Sequence, residues 1–278
     1  MALLLGCSRS PKPIVVGSKN FTEQVLLGEI AAQQIERRLH VKVERRLNLG
    51  GTLLAHQALT LGDIDLYPEY TGTAYTNVLK LPPESDPGIV WNRLVTAYGA
   101  QYKLEWLSPL GFDNTFAIIV RGPDARAHKL AAIGDAARYK PDWVLGAGYE
   151  FADRPDGLPL LLRAYKLGLR GAPKTLDLGL LYKAIQENQV DMIAGNYTDG
   201  TLSVMDLKVL ADDKKAFPPY QAALVARADV LKQHPGLRKA LEGLSGKISD
   251  ETMRKMNYEV DGKHRTAPEV AAEFLKKM

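Results

Sequence analysis

Ten short runs rich in β-branched and aromatic residues punctuate the chain: "PIVVG", "VKVERR", "DIDLY", "KLEWL", "TFAIIV", "DWVLGAG", "KTLDL", "VDMIAG", "LKVL" and "QAALVA". Amphipathic segments separate most of them. That alternation restricts the fold to α/β architecture, with helices covering mixed or parallel sheets. Two stretches read as crossings between halves of the molecule. "GFDNTFAIIV" (111–120) leads out of the first set of units, and "AFPPYQAALVA" (216–226), stiffened by its double proline, leads back. A chain that leaves one lobe, builds another and returns has a cleft between the two, and clefts of that kind bind ligands. The tail from Arg227 onward is helical and charged, and Leu231, Leu237, Leu241 and Leu244 fall at positions that predict packing.

The first strand runs through Gly17-Ser18-Lys19 into a helical pattern carried by Phe21, Val25, Leu26, Leu27, Ile30 and Ile35. Asn20 followed three residues later by Glu23 has the spacing of a capping box. Lys19 is therefore expected just outside a helix N-terminus, where unpaired N–H groups favour an anion. A nucleotide phosphate loop is excluded by pattern, because the order is Gly-Ser-Lys with Pro, Ile and Val upstream instead of a second glycine.

With 46% hydrophobic and 24% charged residues in 278, the composition is that of a folded protein large enough for two lobes. The net charge of +4 is spread along the chain without an arginine-rich run, so nucleic acid is not an expected partner. A single cysteine, Cys7, leaves no intrachain disulfide and no cysteine-based metal site. No cofactor or metal is expected. "LLGC", residues 4–7, resembles the lipobox of bacterial lipoproteins, which makes residues 1–12 a lipoprotein-like segment and Cys7 a candidate for lipidation, although a basic start and a longer apolar run are missing. No stretch reaches the ~20 apolar residues of a membrane span.

Four aromatic residues stand beside turn or strand-end signals: Tyr70 in "DLYPEYTGTAY", Phe116 in "GFDNTF", Tyr197 in "AGNYTDG" and Tyr220 in "FPPYQ". Several aromatic faces turned on one point hold a diffuse cation such as a quaternary ammonium. Lys19 and Arg154 supply positive charge, and a guanidinium can fork onto a carboxylate. "IVVGSKNFTEQVLLGEI", "GGTLLAHQALTLGDIDLYPEYTGTAYT", "GFDNTFA", "YEFADRPDGLPLLLRAY", "AGNYTDG" and "FPPYQAALVAR" together resemble the substrate-binding proteins of ABC importers for glycine betaine, choline and related osmoprotectants. The likeness runs from Pro13 to the C-terminus with the motifs in family order.

That resemblance implies a type II-like periplasmic-binding-protein fold of two lobes joined by two crossovers around a ligand cleft. The first lobe is expected from 13–114 plus 217–278, the second from 115–216. It implies an aromatic box of Tyr70, Phe116, Tyr197 and Tyr220, with polar contacts from Lys19, Thr73, Asn114 and Arg154. Phe116 stands where many relatives have tyrosine, which keeps the π face and loses a hydroxyl. Thr73 stands where some choline-accepting relatives carry an acid. Two cations beside neutral Thr73 and Asn114 favour a ligand with a carboxylate, so glycine betaine or proline betaine is expected ahead of choline, and ergothioneine shares both charged ends. The implied partner is an ABC permease, the implied form a monomer, and the implied location the periplasm or cell surface.

An enzyme would need a nucleophile with a base, yet His40, His56, His128, His234 and His264 lie in polar or helical contexts and no Gly-x-Ser-x-Gly or His-Glu-x-x-His occurs. His56 reads as a helix-face residue, and Asp63 and Asp65 as solvated or capping carboxylates. A sensory domain binding the same solute would call for an output domain, and none is evident.

Overall fold

The computed structural model describes residues 13–139 and 142–278, so Cys7 and its lipobox lie outside the described residues. All ten runs form strands: β1 (Ile14–Gly17), β2 (Val43–Arg46), β3 (Leu66–Tyr70), β4 (Leu104–Trp106), β5 (Phe116–Arg121), β6 (Leu145–Ala147), β7 (Lys174–Thr175), β8 (Met192–Asn196), β9 (Leu207–Leu210) and β10 (Ala222–Arg227). They make two five-stranded sheets, ordered β2-β1-β3-β10-β4 and β7-β6-β8-β5-β9. In each sheet the strand that arrives by a crossover, β10 or β5, lies antiparallel between its neighbours, and the remaining pairs are parallel. Each sheet with its covering helices is a lobe, so the α/β expectation of two lobes and two crossovers describes the molecule.

The crossovers run side by side. Asp113 bridges Gln221, the Asn114 N–H donates to the Tyr220 carbonyl at 3.1 Å, and the Tyr220 N–H donates to the Asp113 carboxylate at 2.9 Å. Paired strands of this sort allow rotation about their axis while resisting separation.

Local departures from the sequence reading have physical causes. β3 begins three residues later than "DIDLY" suggests and continues through Pro68 to Tyr70; its parallel contact with β1 is limited to Val16 opposite Leu66, so the proline falls beyond that ladder. Helix α1 (Thr22–Leu39) starts from Phe21 without a side-chain cap, so the expected capping box of Asn20 and Glu23 does not form. Glu23 is turned inward and buried instead. Helix α1 buries Leu26, Leu27, Ile30 and Ile35 as the helical spacing requires.

Two elements position what lies between the lobes. Helix α2 (Thr52–Leu61) points its N-terminus at the cleft, and β3 runs directly into the turn α3 (Thr71–Thr73). A Cβ at Gly72 would sit 2.7 Å from both the Pro219 carbonyl and the Tyr220 ring, so only glycine lets that turn pack on the second crossover. At the C-terminus, the helix Ala267–Lys277 packs along α1, while Asp250–Asp261 packs both on α1 and on the turn Gly200–Ser203 of the second lobe. Leu231, Leu237, Leu241 and Leu244 are buried there.

Candidate functional site

Lys19 follows the end of β1 and is 3% exposed. Its Nζ lies 2.5 Å from Glu69 Oε1, 3.4 Å from Thr52 Oγ1 and 4.9 Å from the centroid of the Tyr70 ring. Glu69, wholly buried in β3, also accepts from the Tyr67 hydroxyl at 2.9 Å and the Tyr70 N–H at 2.7 Å. The lysine at the strand–helix hinge is therefore one half of an internal ion pair. Breaking such a pair leaves a buried charge uncompensated, at a cost of about 3–5 kcal/mol.

Arg154 caps the short helix Tyr149–Asp153 of the second lobe and is also buried. Its guanidinium forks onto Asp156, with Nε to Oδ1 at 2.9 Å and Nη2 to Oδ2 at 2.5 Å. Nη2 also donates to Thr73 Oγ1 at 3.1 Å, across the cleft, and Nη1 donates to Glu150 at 3.3 Å. The same guanidinium lies 5.0 Å from the centroid of Phe116 and 5.8 Å from that of Tyr220. Asp156 accepts from Thr76 Oγ1 and from the Tyr220 hydroxyl, both at 2.7 Å. Burial is the largest single influence on Asp156 and pushes its pKa up, but Arg154 with the Tyr220 and Thr76 hydroxyls outweighs it, and the carboxyl is held below its ordinary value.

Glu150 reaches from the second lobe to the start of α2, where its Oε1 accepts the Thr52 N–H at 3.0 Å. Burial raises this carboxyl; Lys19, Arg154 and the Thr52 N–H together bring it below its usual range. The carboxylate thus occupies the anion-favouring end of a helix.

Tyr70 and Asn114 converge on a third carboxylate. The Tyr70 hydroxyl donates to Glu23 Oε1 at 2.6 Å and Asn114 Nδ2 donates to the same oxygen at 2.8 Å. Around Phe116 the rings of Phe151, Tyr220 and Phe217 stand edge-on at 4.9, 5.3 and 6.0 Å. Phe21 stacks on Tyr70 at 6.4 Å.

The structure thus brings Lys19, Tyr70, Thr73, Asn114, Phe116, Arg154 and Tyr220 into one interlobe region. Tyr197 stands apart from the other three aromatics: β8 ends at Asn196, the chain turns with the Asn196 N–H on the Asp199 carboxylate at 2.9 Å, and the Tyr197 ring lies 36% exposed under Arg254, 5.0 Å from its guanidinium carbon. By sequence alone Lys19 and Arg154 are charges open to a ligand. In the structure each is neutralised by a buried acid; Glu69, Asp156 and Glu150 carry no sequence reading, and Glu23, expected as a capping residue, is a buried carboxylate of the interlobe region. The available signal was weak: Asp156 follows Arg154 by two residues, and Glu69 interrupts a strand pattern otherwise suited to burial. His56 is a packed helix residue, edge-on to Tyr98 and Tyr102 at 5.5 and 4.8 Å. Among the described residues no group of three or more His, Cys, Asp or Glu is arranged to hold a metal, and no helix is long and apolar enough to cross a membrane.

Comparison with known proteins places this geometry. The ergothioneine transport permease/ergothioneine binding protein EgtU of Helicobacter pylori strain G27 is 36% identical over 268 residues, covering 96% of this chain and 48% of that protein, so the chain spans about half its length. The carnitine transport binding protein OpuCC of Listeria monocytogenes is 34% identical over 270 residues, covering 96% of this chain and 87% of that one. A solved glycine betaine/carnitine/choline ABC transporter structure superposes with a TM-score of 0.81 at 33% identity, over 95% of this chain and 98% of the other. The Escherichia coli protein YehZ gives 0.72 at 30% identity, over 96% and 98%. Residues 12–277 match the family described as the substrate binding domain of ABC-type glycine betaine transport systems, and the chain belongs to that family.

Proposed function

We propose that the protein captures a quaternary-ammonium zwitterion between its lobes, glycine betaine or proline betaine foremost, and presents it outside the cytoplasmic membrane to an ABC permease. One observation carries this reading. Arg154 and Glu150 already imitate the two ends of such a ligand: a planar cation over the faces of Phe116 and Tyr220, and a carboxylate on the first N–H of α2. A trimethylammonium group would take the aromatic faces of Tyr70, Phe116 and Tyr220, with Tyr197 closing from the rim. The ligand carboxylate would replace Glu150 at Thr52, within reach of Lys19, Thr73, Asn114 and Arg154. Cation–π attraction grows from about 0.5 kcal/mol at exposed sites to about 2 or more once water is excluded, so closure of the lobes and capture reinforce each other. We assign 13–114 with 217–278 to one lobe and 115–216 to the other, with the paired crossovers as the hinge. The protein would act as a monomer, with Cys7 as its lipid attachment point.

Choline is the second reading. It is favoured by the charge count between the lobes, where Lys19 and Arg154 face Glu69, Asp156, Glu150 and Glu23, two acids in excess. Carnitine and ergothioneine, named for the Listeria and Helicobacter relatives, share the trimethylammonium and carboxylate ends. Titration calorimetry with glycine betaine, proline betaine, carnitine, ergothioneine, choline and glycine separates these. Tight one-to-one binding of a methylated zwitterion, with no heat from glycine, supports the proposal. Choline as the best ligand transfers it to the second reading, and no heat from any of them refutes both.

A further inference from the structure

Glu23 is a carboxylate between the lobes that accepts four hydrogen bonds from neutral donors, and the ligand contacts above do not use it. It is 3% exposed, and each of its oxygens accepts two hydrogen bonds. Tyr70 and Asn114 donate to Oε1; Thr198 Oγ1, at 2.5 Å, and Asn257 Nδ2, at 2.9 Å, donate to Oε2. The four donors come from four places: the end of β3, the first crossover, the turn after β8, and the helix Asp250–Asp261. No lysine or arginine pairs with Glu23 among the described residues; four neutral donors hold it.

Thr198 is the second lobe's half of this contact. It is wholly buried, and all three of its polar groups are spent across the junction: the hydroxyl on Glu23, the N–H on Asn114 Oδ1 at 3.3 Å, and the carbonyl on Asn257 Nδ2 at 2.9 Å. Two residues on, Gly200 lies so close to the Asp250–Asp261 helix that a Cβ there would be 2.4 Å from the Tyr258 nitrogen. The turn Thr198–Gly200 is a plug, and Glu23 with Asn257 is its socket.

We infer that Glu23 is a positioning residue which fastens the second lobe to the first through Thr198, and in doing so fixes Tyr70 and Asn114 at the ligand cleft. The ligand part of this rests on the proposed function; the interlobe part does not. A carboxylate can accept from four donors at once, which glutamine cannot, since its amide nitrogen would meet donors. Losing one of the donors leaves a buried carboxyl oxygen short of a partner.

The test uses the full chain with Cys7→Ser and a fluorophore pair at Lys80→Cys and Lys208→Cys, exposed sites on the two lobes. Thr198→Val keeps the shape and removes the hydroxyl; Thr198→Ser restores it. We expect single-molecule transfer efficiency in Thr198→Val to shift toward a more separated population and glycine betaine affinity to fall at least tenfold, with Thr198→Ser returning both. Glu23→Gln should reproduce Thr198→Val if it folds. Transfer efficiency and affinity within twofold of the parent in Thr198→Val would overturn the inference. So would a loss that Thr198→Ser fails to rescue. If the parent binds no methylated zwitterion, the proposed function fails while the transfer measurement still decides this point.

Discussion

Replacing Arg154 by methionine separates the structural part of the site from its ligand chemistry. The guanidinium is 7% exposed and Asp156 is not exposed at all, so the substitution strands a carboxylate whose remaining partners are two hydroxyls. Breaking a buried pair of this kind costs about 3–5 kcal/mol, and replacing both partners costs far less. Unfolding in urea at pH 8 should show that loss for Arg154→Met and recovery of at least about 2 kcal/mol of it in Arg154→Met/Asp156→Asn. The pH dependence carries a second signature. In the parent, Asp156 is held low, so its contribution is present above the unfolded carboxylate value and lost only as pH falls through the folded one. Without Arg154, burial is opposed only by hydroxyls, the folded value rises, and the deficit deepens as pH increases. Glycine betaine affinity, in contrast, should fall at least tenfold in the single variant and stay low in the double, because the proposed carboxylate contact is gone in both. Losses in stability that simply add in the double variant, or a deficit independent of pH, would refute the pairing argument.

Further expectations test neighbouring parts of the site. Glu150→Gln should tighten glycine betaine and weaken choline in parallel calorimetric titrations, because its carboxylate competes with one ligand and attracts the other; equal changes for both would sink that role. Gly72→Ala pushes a methyl into Tyr220 and Pro219, so thermal unfolding should report about 1–3 kcal/mol of overpacking cost together with weakened binding. Asp113, raised to about 6 by burial beside Asp250, destabilises the fold as pH rises through that value, since its favourable protonated form is complete only below the unfolded value of 3.8. Asp113→Asn, which keeps an acceptor for the Tyr220 N–H, should gain about 1–2 kcal/mol at pH 8 and nothing at pH 4, allowing for the partial exposure of the side chain. A gain of the same size at both pH values would mean that titration is not its cause.

The strands were legible in the sequence because alternation and β-branched runs are local signals, and "FPPYQ" and "GFDNTF" marked the crossovers for the same reason. The aromatic residues were legible as a set only through family resemblance. What could not be read was which carboxylates are internal. Lys19 and Glu69 are 50 residues apart, Thr52 and Glu150 are 98 apart, and Glu23 and Asn257 are 234 apart. Only the sheet order and the return crossover bring them together. Glu23 was misread because a glutamate three residues after an asparagine has a local explanation, and the long-range one wins only when four donors are available to a buried carboxylate.

In the proposed site the aromatic faces of the cleft recognise charge and not merely shape. Calorimetric titration of glycine betaine against 3,3-dimethylbutanoate, which keeps the carboxylate and replaces the trimethylammonium with an uncharged tert-butyl group, isolates that term. Attraction of about 2 kcal/mol or more per desolvated ring predicts that glycine betaine binds at least tenfold more tightly. Equal or tighter binding of the isostere would contradict a cation-binding cleft and leave only an apolar one.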